Sequence, residues 1–528
     1  LSSKVIKDAV TFFDIRDTIG ESKSKNVITM IEDCRKGNLK AKTYIVRPKT
    51  FLRLPNSIVG YYFNDLLLNL FSKFDNLEGQ GMQARQGHAL VSNEHFRLFW
   101  EIPIISCIGY DSFYSPLYNG AEFSLFVIPS RDMAAFGIHG QNVIHNKSVV
   151  LRNPQYQYLS GIGYGKRGDI LDAHILPSGH IFTSEGQAIT GITNEDALYG
   201  LAFLNSFLAQ YTINQYCGQH KHCGYVNLLP LPSFPKLKKS IAEQIEKNTL
   251  SIIKMKKVWF KVDETTREFS NPLFSIAGEC PVPSNLKTFI DELILKYQFD
   301  CEQLDRHIKI NDELLMSHAE LTAQQRVCLE DFSQRRPNDT PWPDMERDKG
   351  ANSLELFFCK EILSQLVGFV VGRWDIRYVL GKKQLDDNED YYNQVSIYPK
   401  GMLLNDIGLP ASLDDLPKDY QLQISWSGIL VDDEGHPEDI VSRVRETIGL
   451  ILGEKAGDIE QEVCEILCAE SLHDYFRKPD NFFAEHLKRY SKSRRQAPIY
   501  WPLSTNSGSY TIWLYYQRLS NQTLYRCV

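Results

Sequence analysis

The sequence predicts an α+β multidomain protein. A β-rich domain with a long helix comes first, a charged helical connector follows, and a mixed α/β domain closes the chain. Three observations predict this. The chain has 528 residues, and at roughly 150 residues per domain that is too long for one compact core. Residues 50–235 are dominated by glycine, aromatics and short apolar runs, the texture of short strands broken by turns. Downstream of them, apolar residues recur at helical spacing between charged ones.

Hydrophobic residues make up 43% and charged residues 23% of the chain, which excludes a wholly disordered or collagen-like protein. No run approaches the roughly 18 uncharged apolar residues of a membrane helix. The first thirty residues hold no apolar signal-peptide core, so a cytoplasmic protein is expected. The 11 cysteines are odd in number, scattered and without CxxC spacing, so no disulfide framework is expected. Net charge is 58 − 65 = −7, and any DNA-binding face has to be a local patch on an acidic body. Leu1 in place of Met, and a strand-like end from Thr523 to Val528, read as a piece of a longer polypeptide.

In chain order, residues up to Lys40 are charged and loosely helical. Tyr44-Ile45-Val46 predicts a short strand ended by Pro48. Glu122 to Ile128 is one of several short strand candidates. Thr193 and Asp196 form a capping box ahead of Leu198, Leu201, Leu204, Leu208 and Tyr211, predicting one helix through all five. Ser233-Phe234-Pro235 ends a proline-rich extended exit. The clusters Lys236/Lys238/Lys239 and Lys254/Lys256/Lys257 read as solvated helix faces. Arg335 to Asp339 reads as a linker. A strongly apolar helix from Ser353 carries Glu355, Lys360 and Glu361, and is read as a buried core helix. Asp386 to Asp390 predicts an exposed acidic loop. Pro437 at a first helical position opens a helix with Ile440, Val441, Val444 and Ile448. Ser471 and Asp474 make a second capping box. Phe483, Leu487 and Tyr490 line a last helix, and residues 499–501 and 510–515 predict a hairpin around Asn506-Ser507-Gly508.

The chain has no GxxxxGK[ST] loop, no GxSxG elbow and no HExxH. Gly161-Ile162-Gly163-Tyr164-Gly165 is followed by Lys166-Arg167 and no helix, so a dinucleotide loop is rejected. Cys217-Gly218-Gln219-His220-Lys221-His222-Cys223 crowds four soft ligands too tightly to converge tetrahedrally on one ion, and is read as a turn packed by its histidines. Pro479-Asp480, Glu485 and Lys488 hint at a metal nuclease, but an N-cap explains Asp480 and the Glu-to-Lys spacing is wrong. Lys488, Arg489, Lys492, Arg494 and Arg495 place five positive charges within eight residues. A solvated face and a phosphate track both fit them. Arg152-Asn153, Tyr156, Tyr158 and Tyr164 to Arg167 interleave aromatics with Arg, Asn and Lys. That mixture suits base-edge and backbone reading of DNA, and an ordinary β-rich surface equally.

Several blocks stand in a telling order: Gly79 to Gly87; Asn93 to Phe99-Trp100-Glu101; Tyr118-Asn119-Gly120-Ala121-Glu122; Arg152-Asn153; Gly161 to Tyr164; Leu176 to Phe182; Leu204-Asn205-Ser206; and Gly224 to Pro232. The C-terminal third adds Val371-Gly372-Arg373-Trp374-Asp375-Ile376-Arg377, Ser491 to Tyr500, Pro502 to Thr505 and Tyr510 to Tyr516. In order and spacing the set resembles the target-recognition and C-terminal regions of large adenine-specific DNA methyltransferases. These are the type IIG restriction–modification enzymes and the PglX-type enzymes of BREX phage defence, with relatives in DISARM. The block at 118–122 departs from the family's Lys-Gly-Gly-Glu by losing the lysine and one glycine.

The resemblance implies a division into four parts. Residues 1–45 would be the helical end of a preceding methyltransferase domain, 46–235 the DNA target-recognition domain, 236–345 the connector and 346–528 the C-terminal α/β domain. Such enzymes bind S-adenosylmethionine and grip a flipped adenine with Asn-Pro-Pro-Tyr. Here Asn153-Pro154 and Asn271-Pro272 are single prolines, so no catalytic, cofactor-binding or metal residue is expected in this chain. The expected partners are double-stranded DNA, a methyltransferase domain in cis or trans and other phage-defence proteins, with no membrane. The expected DNA-binding residues are Arg152, Asn153, Tyr164, Lys166, Arg167, Lys492, Arg494 and Arg495. The competing expectation is an interaction scaffold, which the acidic balance and Trp374, Trp501 and Trp513 permit. An autonomous nuclease has least support.

Overall fold

The structure, a computed structural model, describes residues 9–39, 42–102, 113–120, 123–232, 239–270, 272–276, 285–333, 336–343, 345, 351–384, 390–453, 456–478, 480–492 and 495–527. Of the residues singled out above, Leu1, Lys40, Ala121, Glu122, Ser233 to Lys238, Asn271, Arg335, Asp386 to Glu389, Pro479, Arg494 and Val528 lie outside the described residues. The fold is mixed α/β, with several small sheets set among helices. No helix among the described residues is long and apolar enough to cross a membrane.

β1 (Val10–Phe13) and β2 (Thr43–Val46) form an antiparallel pair, with Val10 opposite Val46, and α1 (Ser22–Arg35) lies between them in sequence. α2 (Asp65–Lys73) is capped by Asn64, whose side chain accepts from Leu67 N at 3.2 Å, and buries Leu66, Leu67, Leu70 and Phe71.

The β-rich part contains β3 (Ala84–Arg85), α3 (Ser92–His95), β4 (Phe96–Leu98), β5 (Ser115–Tyr118), β6 (Asp132–Ala134), β7 (Gly161–Gly165), β8 (Ala173–Leu176), β9 (Ile181–Phe182) and β10 (Gly186–Thr190). They form two four-stranded sheets, ordered β3-β10-β7-β8 and β4-β6-β5-β9. Glycine in β7 permits close approach between them. A Cβ on Gly163 would lie 2.5 Å from the Tyr118 ring. The glycine-rich stretch is thus a strand buried along its whole length.

α4 (Asn194–Leu204) starts where the capping box predicts, with Thr193 Oγ1 accepting from Asp196 N at 3.1 Å. The helix expected to run through Tyr211 is broken, and α5 (Phe207–Tyr216) begins anew after Ser206. Asn205 is the cause. Its side chain accepts from Ala173 N and donates to Ala173 O, both at 2.9 Å, completing the edge of β8. Ser206 then caps α5 through Ala209 N at 3.3 Å. A single turn, α6 (Cys223–Val226), follows.

α7 (Lys239–Phe260), α8 (Leu286–His318) and α9 (Ala323–Ser333) occupy the segment read as a connector. α7 and α8 pack on each other and supply both large cores. Ile245, Ile252 and Phe260 of α7 and Leu304 and Leu315 of α8 join the core around β7 and α4. Trp259 of α7 and Phe289, Ile290 and Tyr297 of α8 join the C-terminal core. The pair is therefore a shared layer and not a tether. Two lysines read as solvated are buried. Lys256 Nζ reaches Asp339 at 2.8 and 2.9 Å, Ser124 and the Leu125 carbonyl, and Lys257 pairs with Glu268 at 2.9 Å.

The C-terminal part holds α10 (Ala351–Val370), β11 (Ile429–Val431), α11 (Ile440–Leu452), α12 (Ala456–Leu467), α13 (Leu472–Arg477), α14 (Phe482–Arg489), β12 (Ser491–Lys492), β13 (Arg495–Gln496), β14 (Tyr500–Ser504), β15 (Thr511–Tyr515) and α15 (Thr523–Arg526). α10 is the expected buried helix, with Leu354, Phe358, Leu363, Leu366 and Val370 in the core. The predicted hairpin is β14–β15, with Tyr500 opposite Tyr515 and Ser504 opposite Thr511. The end from Thr523, read as strand, is the short helix α15. α11 starts at Ile440 with Asp439 as cap, so Pro437 lies outside it. Trp374 is fully buried, and a Cβ on Gly368 would lie 2.2 Å from its ring. Arg373 stacks 4.1 Å over that ring and reaches the Tyr490 hydroxyl and the Glu264 carbonyl.

Candidate nucleic-acid interface

β7 runs out at Gly165 into Lys166 and Arg167, and β10 begins opposite with Gly186 in register with Gly165. That register places Glu185 beside both cations. Lys166 N donates to Glu185 O at 2.8 Å, Lys166 Nζ lies 3.1 Å from Oε1, and Arg167 Nε lies 2.5 Å from Oε2. Lys166 is 14% exposed and Arg167 71%.

The 217–223 turn is pinned beneath this pair. Lys221 N donates to Lys166 O at 2.7 Å and Gly168 N to Gln219 O at 2.9 Å. The turn is packed by its lysine and not by its histidines. Lys221 is fully buried, with Nζ on Asn214 Oδ1 at 2.7 Å and Gly218 O at 2.8 Å, while His220 is exposed. Cys217 Sγ donates to the His220 carbonyl at 3.1 Å. Among the described residues, the side chains close enough to share a cation lie elsewhere, at Asp432, Asp439 and His473. There Asp432 is paired with Arg477 and Asp439 caps α11.

A third segment completes the face. Arg152 N donates to His88 Nδ1 at 3.0 Å. Asn153 adopts a left-handed conformation, φ 49° and ψ 49°, which asparagine tolerates, and its amide donates to Gln86 O at 2.9 Å. Arg85 stacks 3.5 Å over the Tyr156 ring. The field of these cations reaches the neighbouring imidazoles. Burial, then the Arg152 charge, pushes His88 down to about 4. Burial, then Lys166, His220 and Arg152, lowers His222. Among the described residues the Arg152 guanidinium has no carboxylate partner. The buried Asp172 lies against His174, at 3.5 Å. Three loops thus bring Arg152, Lys166, Arg167, His220 and His222 together, an arrangement suited to binding a polyanion.

The other expected residues are placed differently. Tyr164, expected at the interface, is in the core, fully buried with its hydroxyl donating to Gln187 Oε1 at 3.0 Å. Its strand is covered on both faces, so the ring offers no surface to a ligand. Lys492 Nζ pairs with Asp132 at 2.6 Å, and Arg495 Nε pairs with both carboxylate oxygens of Glu101 at 2.9 and 2.7 Å. Arg489 pairs with Glu264 and Glu361. Two of the four described members of the basic run, Lys492 and Arg495, therefore close a seam between the C-terminal part and the β-rich part. Trp100 reinforces that seam, its indole donating to Ala497 O at 2.9 Å. Sequence reasoning missed Arg85, Glu185, His220 and His222 as parts of one face, because the β3–β10 and β7–β10 pairings and the hydrogen bonds of the 217–223 turn to Lys166 and Gly168 bring them together.

No family model matches the chain. The chain is 23% identical to the adenine-specific methyltransferase BrxX of Escherichia coli O9:H4 (strain HS), over 98% of this chain and 41% of that protein. The likeness runs through nearly all of this chain, which spans less than half the length of that relative.

Proposed function

We propose that this chain is the DNA-recognition portion of an adenine-specific DNA methyltransferase that acts in phage defence. The observation that carries the reading is the convergence of three loops on one basic face, with Arg152 unpaired by any described carboxylate. The likeness to BrxX supplies the reaction class. In this reading Lys166 and Arg167 anchor backbone phosphates, and Arg152, whose guanidinium can grip a guanine edge bidentately, reads sequence. S-adenosylmethionine and the adenine pocket belong to the remainder of the complete enzyme.

Selection of bound duplexes from a randomised pool tests this. The wild-type chain is expected to enrich a motif, and Arg152→Ala to relax one position of it at a cost of about 1–3 kcal/mol. The double variant Lys166→Ala/Arg167→Ala is expected to weaken all duplexes alike and to flatten the salt dependence. Unchanged affinity in folded variants of all three residues would overturn the assignment. A scaffold role is the second reading, favoured by Trp501 and Leu503, which stand 46% and 44% exposed on β14. Trp374 and Trp513 give it no support, since both are buried.

A further inference from the structure

Glu185 stands at the centre of the cationic face on a backbone tied by hydrogen bonds and close packing. Its N donates to Thr183 Oγ1 at 3.2 Å, and the Thr183 hydroxyl donates to Asn119 Oδ1 at 2.6 Å. The next residue, Gly186, packs directly on the Asn119–Gly120 backbone, where a Cβ would fall 2.2 Å from Gly120 N. The carboxylate is thereby held with one oxygen on Lys166 Nζ and the other on Arg167 Nε. Two oxygens of one anion, each met by a different cation, is how a phosphodiester with two free oxygens would be gripped. Burial alone would raise the Glu185 pKa. The hydrogen bonds and charges of Lys166 and Arg167 outweigh it and lower the pKa, so the group stays ionised. Glu185 remains 34% exposed, and Arg167 71%. A phosphate can therefore exchange with it without unfolding the loop.

Resting on the DNA-recognition reading above, we propose that Glu185 is an internal phosphate mimic that screens Lys166 and Arg167 from the DNA backbone. A duplex held only by its phosphates must displace a fixed carboxylate and then lie beside it, with like charges opposed. A duplex that also engages Arg152 gains a contact that offsets this cost. Glu185 then suppresses indiscriminate binding and so sharpens sequence preference.

The test uses the full chain and a duplex of arbitrary sequence, with affinity read by fluorescence anisotropy between 50 and 200 mM NaCl. Glu185→Gln and Glu185→Ala are expected to bind roughly tenfold tighter at the low-salt end, the worth of one charge-assisted contact. Their slope of log affinity against log salt should steepen by about 0.9, one further phosphate. Lys166→Gln/Arg167→Gln should weaken binding in the wild-type background, and in the Glu185→Gln background it should abolish the gain that Glu185→Gln gives alone. Two separate charge-removing variants, each checked by thermal melting, guard against one failing to fold. If wild type enriches a motif that Arg152→Ala relaxes, yet neither Glu185 variant binds the arbitrary duplex tighter, the screening role is overturned and the recognition reading stands. If wild type and both Glu185 variants fail to bind DNA at 50 mM NaCl, the recognition reading falls and the screening role with it.

Discussion

Arg495 Nε lies 2.9 and 2.7 Å from the two carboxylate oxygens of Glu101, 394 residues earlier in the chain. Glu101 also accepts from Leu98 N at 2.6 Å, so one carboxylate caps its own turn and holds the distant hairpin β12–β13. Gln517 adds a bond to the Trp100 carbonyl at 3.1 Å. The Trp-Glu block near residue 100 and the basic block near residue 495 are thus two halves of one joint.

Glu101→Ala is expected to cost about 1–3 kcal/mol, because it leaves a part-buried guanidinium and a backbone N–H without their acceptor. Urea denaturation of the full chain measures this. A midpoint equal to wild type would show that the joint carries no stability.

Acid should destabilise the fold before most carboxylates titrate. His486 is buried, and its Nε2 accepts from Ile499 N and Tyr500 N at 2.9 and 3.1 Å. Burial, opposed by Glu264, pushes its pKa down to about 3. The folded value lies below the unfolded value of about 6.5, so the unfolded chain binds the extra proton. The contribution is complete above about pH 6.5 and is lost as pH falls towards 3, by up to ~1.4 kcal/mol per unit. His180, pushed down to about 3, and His88, at about 4, act in the same direction. Asp312, raised by burial to about 6, acts oppositely by one proton between about pH 4 and 6. Denaturation midpoints that fail to drop between pH 7 and pH 5 would contradict this.

Gly163→Ala is expected to cost about 1–3 kcal/mol by overpacking. The added methyl would meet the Tyr118 ring, which cannot turn away freely because its hydroxyl is bonded to His174 Nδ1 at 2.8 Å. A melting temperature within a degree of wild type would mean that the two sheets slide apart without penalty.

The chain should unfold in one main transition, because α7 and α8 bury residues in both large cores. Scanning calorimetry reads this directly. Two well-separated peaks would show that the cores melt independently.

What the sequence made legible was local. The Thr193 and Ser471 caps, the 44–46 strand and the 500–515 hairpin each depend on residues a few positions apart. The helix break at Asn205 was hidden because its cause is the edge of β8, thirty-two residues upstream. Tyr164 was misplaced because glycine neighbours suggest an open loop, whereas here they admit a second sheet. The candidate face was half visible. Arg152, Lys166 and Arg167 were picked out by type, but Glu185 joins them only through the β7–β10 pairing, and the 220–222 turn only through its hydrogen bonds to Lys166 and Gly168.

Because α7 and α8 belong to two cores at once, the stretch 46–235 is not a cassette. Transplanting it whole into a relative would bring half of an interior surface and leave the matching half behind. On the proposed DNA-recognition reading, preference for a new site would instead pass through the exposed or half-buried parts of three loops, at 152–153, 166–168 and 218–220. Those loops can vary while the shared helices, and everything moulded to them, stay as they are.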